Sequence, residues 1–174
     1  MSSSIREAYE RYGVESFYTS HDYTNPHENT IRSLLGSSHK SLPLKKVLDL
    51  SAGNGLVTET LAKLGYHNVS GTDPFMSSAY EDSTGKECLP LSFKDIVKDG
   101  LPDKYSCVIC SFALHLCEKS LLKSLLWRLS ESTDTLVVIS PTKFPVIGTP
   151  EVERFGFTPS NKRVHFRVYN LPIS

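Results

Sequence analysis

The chain has 174 residues, is 39% hydrophobic, and carries 19 basic against 19 acidic side chains for a formal net charge of +0. That length and apolar content fit one globular domain with its own core and exclude a disordered or collagen-like chain. The balanced charge removes the electrostatic case for a free-standing nucleic-acid or membrane binder and leaves only a local basic patch as a route to such partners.

In chain order, SSIREAYERYG sets Ile5, Ala8, Tyr9 and Tyr12 at helical spacing and stops on Gly13. The stretch ESFYTSHDYT is aromatic and irregular. NPHENTIRSLLGS predicts a helix with Asn25 as N-cap, Pro26 in the first helical position and Glu28 as capping-box partner. Ile31, Leu34 and Leu35 supply its buried face. A buried strand at 46–50 runs into a loop of small residues, SAGNG, and then a helix, LVTETLAKLGY, that Gly65 stops. A short strand NVSGTD, a helix around 75–83 and a weak strand from Cys88 to Leu91 follow. SFKDIVKDGLPDKY reads as turn-rich. YSCVICSF is a strong strand, KSLLKSLLWRLSES an amphipathic helix, and DTLVVIS another buried strand.

The end differs in kind. EVERFGFTPSNKRVHFRVYN reads as two strands about a turn at Thr158-Pro159-Ser160-Asn161. Val164, Phe166 and Val168 face one way, while Arg163, His165 and Arg167 face the other as a basic strip, expected as a solvated face in preference to a contact for an acidic substrate. Alternating strands and helices predict an α/β fold: a Rossmann-like, doubly wound, mostly parallel sheet ending in an antiparallel hairpin, with helices on both faces. No repeat or linker divides the chain, so residues 1–174 are expected to form a single domain, with 1–40 as an N-terminal helical lid segment.

The start, MSSSIREAYERYG, lacks an apolar run of signal-peptide length, and no segment approaches ~20 apolar residues. A cytoplasmic protein with no membrane contact is expected. Cys88, Cys107, Cys110 and Cys117 mostly lie in apolar sequence, as reduced buried cysteines do. CVICSFALHLC gathers three of them with His115, but Cys107 and Cys110 would point to opposite faces of one strand, so no metal site is expected.

The loop SAGNG carries the chemistry. A dinucleotide loop would place a third glycine where Thr58 stands, and no Gly-Lys-Ser/Thr run marks a P-loop. The pattern instead resembles the class I S-adenosylmethionine-dependent methyltransferases. DLSAGNG sets Asp49 four residues before Gly53 and closes on Gly-x-Gly. SGTDP puts Asp73 at the end of the next strand, Asp95 in SFKDI matches the acid after strand three, and ICSFALHL matches the end of strand four. Ser51 departs from the commonest pattern, which has glycine there. The resemblance spans about residues 40 to 170 and implies S-adenosylmethionine as cofactor. It assigns Asp49, Ser51, Ala52, Gly53, Asn54, Gly55, Asp73, Pro74, Asp95, Ile96 and Ser111 to binding it. The loop and following helix N-terminus would take the carboxylate, Asp73 both ribose hydroxyls, and the Asp95 turn the adenine.

Residues that would choose the acceptor are scarcer. Ser111-Phe112-Ala113-Leu114 stands where enzymes acting on base or glutamine amino groups carry Asn/Asp-Pro-Pro-Tyr/Phe. With no added domain, a small-molecule acceptor is favoured over RNA or protein, and a monomer is expected. YTSHDYTNPHE resembles the N-terminal stretch of a group of small uncharacterised methyltransferase-like proteins. Its Tyr23 and His27, together with His115 past strand four, are the candidate catalytic groups. Capping and packing compete for the first two; for His115 the competing role is pairing a backbone carbonyl under the following helix. A non-catalytic S-adenosylmethionine-binding or partner module is the alternative function; Thr58 and the terminal hairpin disfavour a nicotinamide oxidoreductase.

Overall fold

The computed structural model describes residues 27–173. Helix α1 spans Glu28–Ser38 and runs into a single 3-10 turn, His39–Ser41. Then come β1 (Val47–Leu50), α2 (Leu56–Lys63), β2 (Val69–Thr72), α3 (Ser77–Thr84), β3 (Cys88–Leu89) and α4 (Phe93–Asp99). The second half holds β4 (Cys107–Ser111), a 3-10 turn (Leu114–Leu116), α5 (Lys119–Ser130), β5 (Thr135–Ser140), β6 (Val152–Phe157) and β7 (Arg163–Asn170). The seven strands lie in the order β3-β2-β1-β4-β5-β7-β6. The first five are mutually parallel, and β7 pairs antiparallel with both β5 and β6. Strand order reverses between β1 and β4, so their carboxyl ends open the crevice where such sheets take ligands.

Alternation along each strand builds two apolar layers. On one face Val47, Cys107, Ile109, Val137 and Ile139 pack with Ile31, Leu35, Val57 and Leu61 from α1 and α2. On the other, Leu48, Leu50, Val108, Cys110 and Val138 pack with Ile96 of α4 and Leu125 and Leu129 of α5. Cys107 and Cys110 fall in different layers, as expected of residues three apart on a strand. Among the described residues no helix is long and apolar enough to cross a membrane.

Several expectations need correction or limits. Helix α1 begins at Glu28 with His27 as N-cap and no side-chain cap among the described residues; the Glu28 carboxylate pairs along the helix with Arg32, 2.7 Å away. Asn25, Pro26 and the first predicted helix lie outside the described residues. Ile31 and Leu35 of α1 are fully buried in the core. The segment read as turn-rich contains α4, started by a reciprocal capping box: Asp95 N–H donates to Ser92 Oγ at 3.1 Å, and Ser92 N–H donates to Asp95 Oδ2 at 2.8 Å.

The basic strip of β7 is not solvated. Because β7 lies inside the sheet, His165 and Arg167 are buried, and only Arg163 of the three is exposed. Arg167 donates from Nε to Glu153 Oε1 (3.3 Å) and from Nη1 to the Lys143 carbonyl (2.7 Å), and its Nη2 lies 3.1 Å from His165 Nδ1. These contacts satisfy a guanidinium that burial alone would penalise.

Candidate functional site

The site grows from the end of β1. Asp49 is buried among apolar strands and accepts from Thr58 N–H (3.2 Å) and Thr58 Oγ1 (2.8 Å) at the start of α2. The Thr58 hydroxyl is also 2.7 Å from the Tyr80 hydroxyl of α3. Burial pushes the Asp49 carboxyl up to about 7, against the two hydrogen bonds from Thr58, with Asp73 adding to the rise. Burial likewise pushes the Tyr80 phenol up. The residue that departs from the dinucleotide pattern, Thr58, therefore holds the strand-end acid to the helix behind the loop. Nothing in the sequence alone assigns Tyr80 to this network.

The two loop glycines have different reasons to be glycine. Gly55 (φ 97) is backed by α3, and a Cβ there would stand 2.4 Å from Thr84 Cγ2. Gly71 is crowded by the same helix, with Tyr80 Cζ 2.8 Å from where its Cβ would be. Gly53 (φ 57) faces open space: nothing lies within 4 Å of its Cβ position. Its left-handed backbone turns the loop, and its bare flank leaves room for a ligand to approach.

Ser51 also adopts a left-handed conformation (φ 54), at the position where the family's commonest pattern has glycine. An L side chain in that region costs roughly 1–2 kcal/mol, while glycine returns part of the gain by loosening the unfolded chain. Ser51→Gly should therefore raise stability by up to about 1 kcal/mol, read as a higher urea midpoint at unchanged slope.

Asp73 clasps the loop to the next strand. Its Oδ2 accepts from Gly53 N–H at 3.0 Å, and its Oδ1 accepts from Phe75 N–H (2.9 Å) and Met76 N–H (2.8 Å) just before α3. The loop is further tied by Ala52 N–H to the Thr72 carbonyl (2.9 Å) and Gly55 N–H to the Ala52 carbonyl (3.0 Å). Asn54 is exposed, and its carbonyl accepts from Ser83 Oγ. Pro74 is half-buried beside Asp73. Asp95 and Ile96, assigned to the adenine by resemblance, stand in the first turn of α4: the Asp95 carboxylate is folded onto Ser92, and the Ile96 side chain is fully buried in the core.

At the end of β4, Ser111 is half-buried and Phe112 adopts φ 57, an outlier for a bulky residue. Its N–H donates to the Ile139 carbonyl at 2.8 Å, which fixes the turn. The Phe112 ring centroid lies 4.9 Å from that of His27 and 6.4 Å from that of His115. Two candidate histidines far apart in sequence thus flank one strained aromatic at the strand ends. Burial, then the nearby Lys162, lowers the pKa of His27, so it is neutral at neutral pH. Phe112 escaped the sequence reading because a positive φ leaves no signature in a phenylalanine. Tyr23 lies outside the described residues.

No protein-family model matches the chain. An uncharacterized protein of Schizosaccharomyces pombe is 33% identical over 190 residues, covering 82% of this chain and 76% of the yeast protein. The chain belongs to the family of that yeast protein. Its fold is that of the class I S-adenosylmethionine-dependent methyltransferases. Magnesium protoporphyrin IX methyltransferase from Synechocystis, solved with S-adenosylhomocysteine bound, superposes with a TM-score of 0.65 at 14% identity, over 97% of this chain and 94% of that one. An rRNA methylase from Escherichia coli superposes with a TM-score of 0.61 at 15% identity, over 94% and 73%.

Proposed function

We propose that the chain is an S-adenosylmethionine-dependent methyltransferase. The observation that carries this reading is Gly53: a left-handed glycine at the crevice between β1 and β4, open on its ligand side, with its N–H held by the acid of the next strand. Solved proteins of this fold contain S-adenosylmethionine or S-adenosylhomocysteine, which adds to the reading. When bound, the cofactor supplies a methyl group on a sulfonium, ready for in-line displacement.

The chain's own residues would bind and align. The loop Ser51 to Gly55 would present its backbone to the amino-acid part, with Asp49 acting from behind through Thr58. A carboxylate offers about four acceptor sites, and three N–H groups already occupy Asp73. It would therefore take one ribose hydroxyl readily and a second only by releasing Gly53. Pro74 and Ser111 would line the crevice on either side. His27 and His115, around Phe112, would stand where an acceptor meets the methyl group, one of them removing its proton if it arrives protonated. The buried thiols Cys88 and Cys107, both pushed by burial up to about 12, suit a reducing compartment such as the cytoplasm.

Titration calorimetry tests the reading directly. S-adenosylhomocysteine should bind, and NAD should not bind comparably. Gly53→Val should abolish the binding, because its side chain would fill the open flank and strain the turn. Micromolar NAD affinity with no response to S-adenosylhomocysteine would refute the assignment. Binding without methyl transfer to any fraction of a cell extract would leave the non-catalytic module as the function.

A further inference from the structure

The strands β5 and β6 are joined by residues 141–151 without a helix; this segment packs on Arg167 of β7, while aromatic side chains of the edge strand β6 stay exposed on the same sheet face. Register places Phe157 beside Arg163, Phe155 beside His165 and Glu153 beside Arg167 on that face. The guanidinium of Arg163 sits 4.9 Å from the Phe155 ring centroid and 5.9 Å from that of Phe157. Phe155 also meets His165 edge-on at 5.3 Å. Arg167 bonds the Lys143 carbonyl, and Lys143 Nζ stands 5.4 Å over the Phe144 ring. One continuous strip thus alternates ring and cation from the hairpin to the loop after β5.

Three features of the strip select its partner. Its rings are open, with Phe144 55%, Phe155 45% and Phe157 56% exposed. Its charge is positive: Glu153 cancels Arg167, while among the described residues Lys143 and Arg163 have no carboxylate within ion-pair distance. It also reaches the ligand end of the sheet, since His165 pairs with Ser140 and the adjoining β4 ends at Ser111. A second copy laid on this face would set Arg163 and Lys143 against like charges. We infer that this open sheet face binds a single-stranded nucleic acid, whose bases stack on Phe155, Phe157 and Phe144 while its phosphates meet Arg163 and Lys143. Aromatic faces on an open sheet recognise unstacked bases in this way, and a duplex hides those faces. The surface stands without the methyl-transfer reading; that the strand delivers the acceptor, in place of the small molecule favoured by the sequence, rests on that reading.

The test is fluorescence polarisation of the full chain with labelled RNA of about 12 nucleotides, the matching DNA strand and the RNA duplex. The single strand should bind and the duplex should not compete. Preference for RNA or for DNA identifies the natural source of the same chemistry, and either supports the surface. With two phosphates neutralised, log affinity should fall against log salt with a slope of about −1.4. Phe155→Ala and Phe157→Ala should each weaken binding about tenfold, the scale of one lost stack. Arg163→Glu should do at least as much, with melting temperature unchanged because these side chains are exposed. Absence of single-strand binding at low salt, equal duplex binding, indifference to these substitutions, or a preference for an acidic peptide would each overturn the inference. S-adenosylhomocysteine titration of the same protein separates the two readings: if the cofactor binds and the strand does not, only this inference falls.

Discussion

Asp73→Ala should cost the fold about 3 kcal/mol and weaken S-adenosylhomocysteine binding at the same time. A strand-end acid that merely faced a ligand could be removed without harm to the fold. This one accepts from three backbone N–H groups, those of Gly53, Phe75 and Met76, and is buried. Hydrogen bonds to a charged group contribute about 1.5–3 kcal/mol each, discounted here because water reaches part of the loop. The loss should appear as a lower urea midpoint at unchanged slope.

Asp73→Asn separates the two duties. Its remaining oxygen keeps Phe75 and Met76 and so preserves the entry to α3, while its amide turns a donor toward the Gly53 N–H. Asp73→Asn should thus stay within about 1 kcal/mol of the parent in stability yet bind cofactor as weakly as Asp73→Ala. If both variants match the parent in urea, the clasp contributes nothing and the loop is held by Ala52 and Gly55 alone.

How much of this was legible in the sequence depends on whether the signal was local. Runs such as VLDL and TLVVIS announce buried strands because a strand covered on both faces has no polar side to show, and both stand as expected. The hairpin was legible from another local signal, alternation on either side of a turn. What the sequence could not show was which strand covers which. Alternation put Arg163, His165 and Arg167 on one face, but only the strand order makes β7 internal and buries two of them. The helix α4 was missed although Ser92-x-x-Asp95 is a capping-box signature; the charged residues and the Gly-Leu-Pro that follow outweighed it. In the site, Asp49, Gly53 and Asp73 were marked by the motifs that carry the family resemblance. Their support by Thr58 and Tyr80 was not, because a hydroxyl ladder across two helices has no sequence period. The ring contacts of His27 (tilted) and His115 (edge-on) with Phe112 join residues that only the folded sheet brings together.

The buried Asp49 also gives the fold a dependence on pH that runs opposite to the usual carboxylate. An aspartate in the unfolded chain ionises near 3.8, whereas burial holds the folded carboxyl at about 7. Between those values the folded chain retains a proton that the unfolded chain has released. This contribution is therefore full below the unfolded value, declines as pH rises, and is lost once pH passes about 7. The slope within that window approaches about 1.4 kcal/mol per pH unit. Asp49→Asn supplies the comparison. An amide of the same shape can still accept from Thr58 and carries no proton to lose. Stability of the parent minus that of Asp49→Asn should fall by about 2 kcal/mol from mildly acidic to neutral pH and flatten in alkali, measured by urea unfolding across that range. The neutral Thr58 and Tyr80 hydroxyls change nothing in this window, since burial pushes the phenol further from ionisation. Parallel curves for the two proteins would mean that water reaches Asp49 and that its two bonds from Thr58 already hold it ionised.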